Sequence, residues 1–426
     1  MSRNACLLFG LAVALGAFSF GIARPGWLPS LETKLSEAGD QRSTSDKATI
    51  SSVDSESLPP VRVLLGSKKR NSHQLRIDGP YRVRVLGDWR VLAQGDRLEA
   101  CQASVSDNTL RIGNKPFQHP GLQLDVLETG TLWVNGHRYH GSLRLVSDGE
   151  NQLRAIGLVD LESYVASVVN GEMPGDFPLA ARRAQAIAAR TYAIYHIKSG
   201  GRGQDFDLYD NTRSQTYGGI ETIDSEGRRL AVETPSSRQI AVDTAGVALL
   251  FNGRVINSYY SAVCGGHTAN GTVIFSDAAP PLIGVACEGC TDAPRYRWAI
   301  DMPRDDMRAR LSAYLDRIGR HLGEIKTVEA TDAVDGQLPQ VHIVGAQAEH
   351  RLSTATLRRH VLKTSDLPSA FFSVTEQDGL IRCQGRGWGH GVGLCQWGAR
   401  GLAQQGRNCV EILSHYYPGC QLRVVR

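Results

Sequence analysis

Two short constellations in this 426-residue chain have residue types and spacing that could do chemistry. The first is VVNGEMPGDFPLA, Val168–Ala180, where one carboxylate, Glu172, stands at a turn between two segments of helical periodicity. A carboxylic acid in an apolar, partly dry setting, such as Met173 and Phe177 can provide, keeps its proton and can deliver it. By position alone, a surface acid closing a helix fits Glu172 as well. The second is Cys264-Gly-Gly-His267 followed, after 19 residues, by Cys287-Glu-Gly-Cys290. Two pairs of soft ligands at this spacing match a closed Cys₃His zinc site. Four protein ligands leave no open position, so the zinc is expected to be structural, tying a hairpin end to the next loop. Disulfides are the competing reading in an exported chain.

A third stretch, GRGWGHGVG, has glycine at 385, 387, 389, 391 and 393. As an extended chain it places Arg386, Trp388, His390 and Val392 on one side and leaves the other bare, open to a sugar strand or another backbone. Trp388 could stack on a sugar ring and His390 could hydrogen-bond substrate or orient Glu172; tight packing around a structural histidine is the alternative. No Lys-Ser/Thr follows, which disfavours a phosphate-binding loop.

The elements that must position these groups are legible nearby. Asp160 can cap a helix with Leu161, Val165, Val168 and Val169 on one face and Glu162 in its first turn; it should end near Asn170-Gly171. Pro178 suits the first position of a second helix, in which Ala180, Ala184, Ile187, Ala188, Thr191 and Tyr195 share a face and which Ser199-Gly200-Gly201 stops. Arg183 and Arg190 point the same way on it, toward substrate or into a solvated or ion-paired face. From Val61 the pattern changes to period two, as in VRVLLG, YRVRVLG and GSLRLV, with Asn135-Gly136 and later Asn252-Gly253 as hairpin turns. The stretch from Asp301 to about Gly345 carries no clear signal.

The rest of the chain bounds the setting. It is 42% hydrophobic and 21% charged, long enough for two or three cores, and its net charge of +4 is too small for a nucleic-acid footprint. Residues Asn4–Ala23 are uncharged and end in Gly21-Ile22-Ala23, a cleavage-site pattern, so the expectation is export. Two outcomes stand: a cleaved signal, or an anchor over residues 4–23, which is then the sole membrane contact. Residues 24–60 read as a tether, since Ser30–Pro60 contains no aromatic residue. Outside the export segment and the two ligand pairs lie Cys101, Cys383, Cys395, Cys409 and Cys420; Cys409 with Cys420 is the first pairing to expect. There is no HExxH or GxSxG, and Cys264 has His267 too close in sequence to serve as a cysteine–histidine pair.

LESYVASVVNGEMPGDFPLAARRAQAIAARTYA, with SQTYGG, YYSAVCGGHTANG and GRGWGHGVGLCQWGARGLAQQG, resembles the stage II sporulation protein D family, whose relatives include proteins named amidase enhancers. The resemblance is strong from Leu158 onward. It implies an exported protein acting on peptidoglycan, in the best-known members as a lytic transglycosylase on glycan strands stripped of stem peptides. It makes Glu172 the catalytic acid and sets Gln215 and Tyr217 of SQTYGG near the cleft. Substrate contact is expected from Arg190, Gln215, Tyr217, Tyr260, Ser261, Trp388, His390 and Gln396, with a plain β-turn beside a strand as the alternative for SQTYGG; zinc is expected, from the spacing above, at Cys264, His267, Cys287 and Cys290. The expected fold is α+β: a small antiparallel β unit over 61–151 packed on a mixed sheet-and-helix core over 152–426, with the zinc loop at 264–290. Glycan strands are the expected partner, with a cell-wall amidase as a second, in a periplasmic or extracellular location. A noncatalytic module that binds glycan or stimulates an amidase is the rival to the enzyme.

Overall fold

The computed structural model describes residues 58–425 except 67–69, 108, 150, 204 and 331–336, so the export segment and nearly all of the tether lie outside the described residues. The fold is α+β. Period-two patterning becomes two large sheets. In one, the strands run in the order 208–209, 61–65, 153–159, 142–147, 121–126, 81–85 and 91–95; in the other, 229–231, 221–223, 137–139, 131–134, 72–78, 98–106, 109–112 and 115–117. Alternate side chains are buried, as with Val61, Val63 and Leu65, or Leu143 and Leu145. Asn135 and Gly136 both have positive φ, 50° and 82°, the geometry of a type I′ turn, and Asn252-Gly253 repeats it.

A boundary at residue 151 does not divide this architecture. Strand 153–159 pairs with both 61–65 and 142–147, and strands 208–209 and 221–223 join sheets begun in the N-terminal part. The β unit is thus completed by the segment that carries the helices.

Asp160 caps the helix Leu161–Glu172 by accepting hydrogen bonds from the N–H groups of Glu162 and Ser163, and that helix runs two residues past Asn170. The second helix, Leu179–Lys198, has Pro178 just before its first turn and closes at Ser199. From Ala181 to His196 every side chain except Arg183 and Tyr195 is buried. One face is not enough for this helix because it is packed on several sides: against the first helix, helix Pro235–Asp243, strand 247–251, and the C-terminal helices Gln396–Gln404 and Cys409–Tyr416. Its many alanines permit those close approaches.

The segment without a clear sequence signal folds around a core of its own. Strands 297–303, 380–386, 372–377, 325–330, 340–345 and 349–353 form a six-stranded sheet. Helix Arg304–Arg317 sends Met307, Leu311 and Leu315 into a cluster with Val328, Ile343, Phe372 and Ile381. Among the described residues no helix is long and apolar enough to cross a membrane.

Candidate active site and thiol cluster

Glu172 is the last residue of its helix. A carboxylate there faces the negative end of the helix dipole, so helix stability gives no reason for it. The SQTYGG loop holds it instead: the Thr216 N–H donates to Glu172 Oε1 at 2.6 Å. Gly171 makes that approach possible, because a Cβ on it would lie 2.6 Å from the Thr216 carbonyl oxygen. The other oxygen, Oε2, accepts from Gln396 Nε2 at 3.2 Å, and the same amide reaches Gln185 Oε1 at 3.4 Å. The donors to Glu172 are therefore a backbone amide and a side-chain amide, and among the described residues no carboxylate shares its network. Met173 and Phe177 are buried beside it in sequence, with Phe177 edge-on to Trp397 at 5.4 Å.

A second network lies under the same loop. Gln215 is fully buried; its Oε1 accepts from Tyr164 Oη at 2.8 Å and its Nε2 donates to Tyr260 Oη at 2.9 Å. Burial keeps the Tyr260 phenol well above its ordinary range, and the charge of Glu172 adds to the effect. Tyr217 is core: its ring lies 5.0 Å from Tyr164 and 5.7 Å from Tyr139. Gln215 and Tyr217 thus shape the floor of the loop and do not face a ligand. Ser261 is buried, and its hydroxyl has no hydrogen-bond partner among the described residues.

Arg190 is not a substrate contact. It is wholly buried, ion-paired to Glu162 at 2.5 Å, and donates to the carbonyls of Val247 and Ala241 and to Thr244 Oγ1. Glu162, read as a first-turn residue, is the reason: it faces the second helix and claims the guanidinium. Arg183 pairs with Asp243.

The glycine-rich stretch is not a flat strand. Gly387, Gly389, Gly391 and Gly393 all have positive φ, between 71° and 103°, so the chain turns at every second residue. Its bare side meets protein, since a Cβ on Gly393 would lie 1.9 Å from the Tyr259 carbonyl and one on Gly387 2.5 Å from that of Val263. Trp388 is 48% exposed, whereas His390 is half-buried, edge-on to Tyr259 and Phe275. His390 Nδ1 accepts from the Val392 N–H at 3.1 Å, which requires a neutral ring, and burial lowers its pKa to about 4.

Four sulfurs, those of Cys264, Cys287, Cys290 and Cys395, lie within 4.8 Å of one another. The spacing pointed to His267 as the fourth ligand, and the structure puts Cys395 in its place. His267 pairs through its backbone with Ala286, and its Nδ1 donates to the carbonyl of its neighbour Thr268. Cys395 opens helix Gln396–Gln404, its Sγ accepting from Gly398 N and Cys264 N at 3.3 Å each. Such N–H donors favour a thiolate, although burial and the neighbouring sulfurs push the Cys395 thiol up in the absence of a cation. Contact with Cys264 pulls the Cys290 thiol far below its ordinary range. The separation of 3.7 Å between Cys264 Sγ and Cys290 Sγ fits the edge of a tetrahedron with metal–sulfur bonds of about 2.3 Å.

Cys409 and Cys420 are both free thiols. The expected pairing between them is therefore not formed. Thr216, Gln185, Tyr164 and Cys395 were the contributors not read from the sequence. Of these, Cys395 alone had an accessible signal, as an unassigned cysteine directly before Gln396.

Residues 149–251 match the family described as stage II sporulation protein, and residues 287–393 a domain of unknown function. An uncharacterized protein of Brachyspira hyodysenteriae is 30% identical over 359 residues, covering 81% of this chain and 90% of that protein. Stage II sporulation protein D of Bacillus subtilis is 27% identical, over 62% of this chain and 74% of its own length. The amidase enhancer of Bacillus subtilis is 25% identical over 71% of this chain and 48% of its length. The chain belongs to the stage II sporulation protein D family.

The His390 geometry has a pH consequence. With its folded pKa near 4 and an unfolded value near 6.5, the unfolded state binds more protons between these limits. Stability should therefore rise with pH from about 4 to 6.5, and His390→Phe should flatten the slope in urea unfolding. An NMR titration midpoint for His390 at 6 or above contradicts this.

Proposed function

We propose that the protein is an exported peptidoglycan lytic transglycosylase with Glu172 as its single acid and base. Family membership gives it a cell-wall-related role, and the observation that supports the finer reading is the way Thr216 N–H and Gln396 fix a lone carboxylate at a helix end. Ordinary glycosidases use two carboxyl groups, one as acid and one to activate water or to attack the sugar. Here the substrate supplies the second function. Glu172 protonates the glycosidic oxygen as the bond to the anomeric carbon breaks. The C6 hydroxyl of the same muramyl residue attacks that carbon, and its proton passes to Glu172, which regains its starting form and leaves a 1,6-anhydro end. Each Glu172 oxygen keeps a second acceptor direction for that proton besides the N–H it already accepts. Tyr260, held protonated, can donate its hydroxyl to the sugar, while the two N–H groups of Gln396 are committed to Glu172 and Gln185 and hold the acid.

The four thiols suit zinc, held by Cys264, Cys287, Cys290 and Cys395. Bound there it would supply no Lewis-acid chemistry, only a closed tetrahedral crosslink. Its place in the reaction is indirect, since Cys395 immediately precedes Gln396.

The second reading, a noncatalytic partner that stimulates an amidase, is favoured by the amidase enhancer relative. Mass spectrometry of peptide-free glycan strands incubated with the protein separates the two. Wild type should yield anhydro ends, and Glu172→Gln should lose about a thousandfold in rate while staying folded. No cleavage by folded, glycan-binding wild type supports the amidase-stimulating reading. For the metal, cobalt loading should give thiolate charge-transfer bands that vanish in Cys395→Ser and survive in His267→Gln; the reverse pattern overturns the ligand set.

A further inference from the structure

The six-stranded sheet carries an open cleft of about 610 Å³, lined by Arg297, Trp298, Phe371, Gln384 and Arg386 among others. The strand register sets Arg297 directly opposite Arg386, so two guanidinium side chains leave the same face side by side. Like charges so placed repel. The same pair of strands matches charges where stability is served, with Arg382 donating to Asp301 at 2.7 Å. Among the described residues no carboxylate answers Arg297, whose hydrogen bonds both leave from Nη1, to the carbonyls of Gly265 at 2.7 Å and Tyr296 at 3.0 Å. Arg386 donates to the His267 carbonyl and lies over Phe371, 5.3 Å from its ring centre.

Two residues past the ends of this pair, Arg295 lies 5.3 Å from the ring centre of exposed Trp388. Arg295 adopts φ 63°, a conformation unfavourable for a non-glycine residue. Strain in a cationic residue beside an exposed aromatic ring is the pattern of a binding surface.

We propose that this cleft, together with the Arg295–Trp388 pair two residues beyond its paired arginines, is a saccharide subsite that reads a free carboxylate on the glycan. Arg297 and Arg295 engage the carboxylate through charge-assisted hydrogen bonds, and Trp388 offers its ring to the apolar face of the adjoining sugar. The proposal rests on the reading of the protein as acting on peptidoglycan. In that polymer the group is the lactyl carboxylate of N-acetylmuramic acid, which is free only where the stem peptide has been removed; an amide-linked peptide cancels the charge at that atom. Ten residues, from Arg386 to Gln396, join the cleft to the Glu172 network, so the two lie within about 35 Å along the chain, within reach of one strand of several sugars. The matched domain of unknown function then acts as the sensor of peptide-free glycan.

Calorimetry on the full chain carrying Glu172→Gln, which leaves the ligand intact, tests this. The probes are a peptide-free tetrasaccharide of alternating N-acetylglucosamine and N-acetylmuramic acid, and uncharged chitotetraose. The acidic tetrasaccharide should bind at least about tenfold more tightly, and added salt should shrink the advantage. Arg295→Gln, an exposed substitution that leaves the backbone contacts alone, should remove most of the preference, and Arg295→Gln with Arg297→Gln all of it. Equal binding of the two probes, or a preference undiminished in both variants, overturns the proposal. Because binding alone is measured, an absence of glycan cleavage by wild type bears on Glu172 and not on this cleft.

Discussion

Four sulfur atoms from three distant stretches of chain meet within 4.8 Å, and the region around the acid is organised about that junction. Cys264 brings the end of the YYSAV segment, Cys287 and Cys290 bring the loop that leads into the six-stranded sheet, and Cys395 brings the start of helix Gln396–Gln404. No run of hydrophobic packing could join three irregular segments so closely, because each is rich in glycine and leaves backbone polar groups to satisfy. Cys395 Sγ takes up part of that demand itself, accepting from Cys264 N and Gly398 N. One residue beyond the junction, Gln396 reaches Glu172. The sheet that carries the arginine cleft and the helix that carries the acid are thereby tied to one point.

The acid shows the same economy. Its helix begins at a well-made cap and ends on the residue that matters, with Gly171 letting the SQTYGG backbone close on it. The buried Arg190–Glu162 pair, bound also to Thr244 and two carbonyls, locks the first helix to the second and to the chain beyond helix Pro235–Asp243. Breaking one partner of such a pair leaves a buried charge and typically costs about 3–5 kcal/mol, which is ample to hold a helix end in register.

Much of this was legible in the residues. Caps, hairpin turns and the two helices follow from local rules, and each stands where its signals put it, with shifts of a residue or two. What escaped were relations between distant segments. His267 satisfied a local spacing rule, yet the fourth member of the cluster depended on which sulfur the fold delivered, and Cys395 arrives from 131 residues beyond Cys264. The alternating glycines read as one bare face because period two presumes an extended chain; positive φ at each second residue breaks that presumption. Arg190 shared a helix face with residues that could have lined a cleft, but its counter-ion lay on another helix. The six-stranded sheet was missed because its strands are short and its core is assembled from side chains spread over residues 307–383.

In the proposed reaction one carboxylate suffices because the sugar provides its own nucleophile. A synthetic peptide-free tetrasaccharide in which the muramyl C6 hydroxyl is replaced by hydrogen tests it most directly, since the change removes the nucleophile without adding bulk. Wild-type protein should cleave the parent tetrasaccharide to anhydro-ended products and leave the 6-deoxy compound intact while still binding it. Cleavage of the 6-deoxy compound at a comparable rate, with water added at the new end, would contradict it.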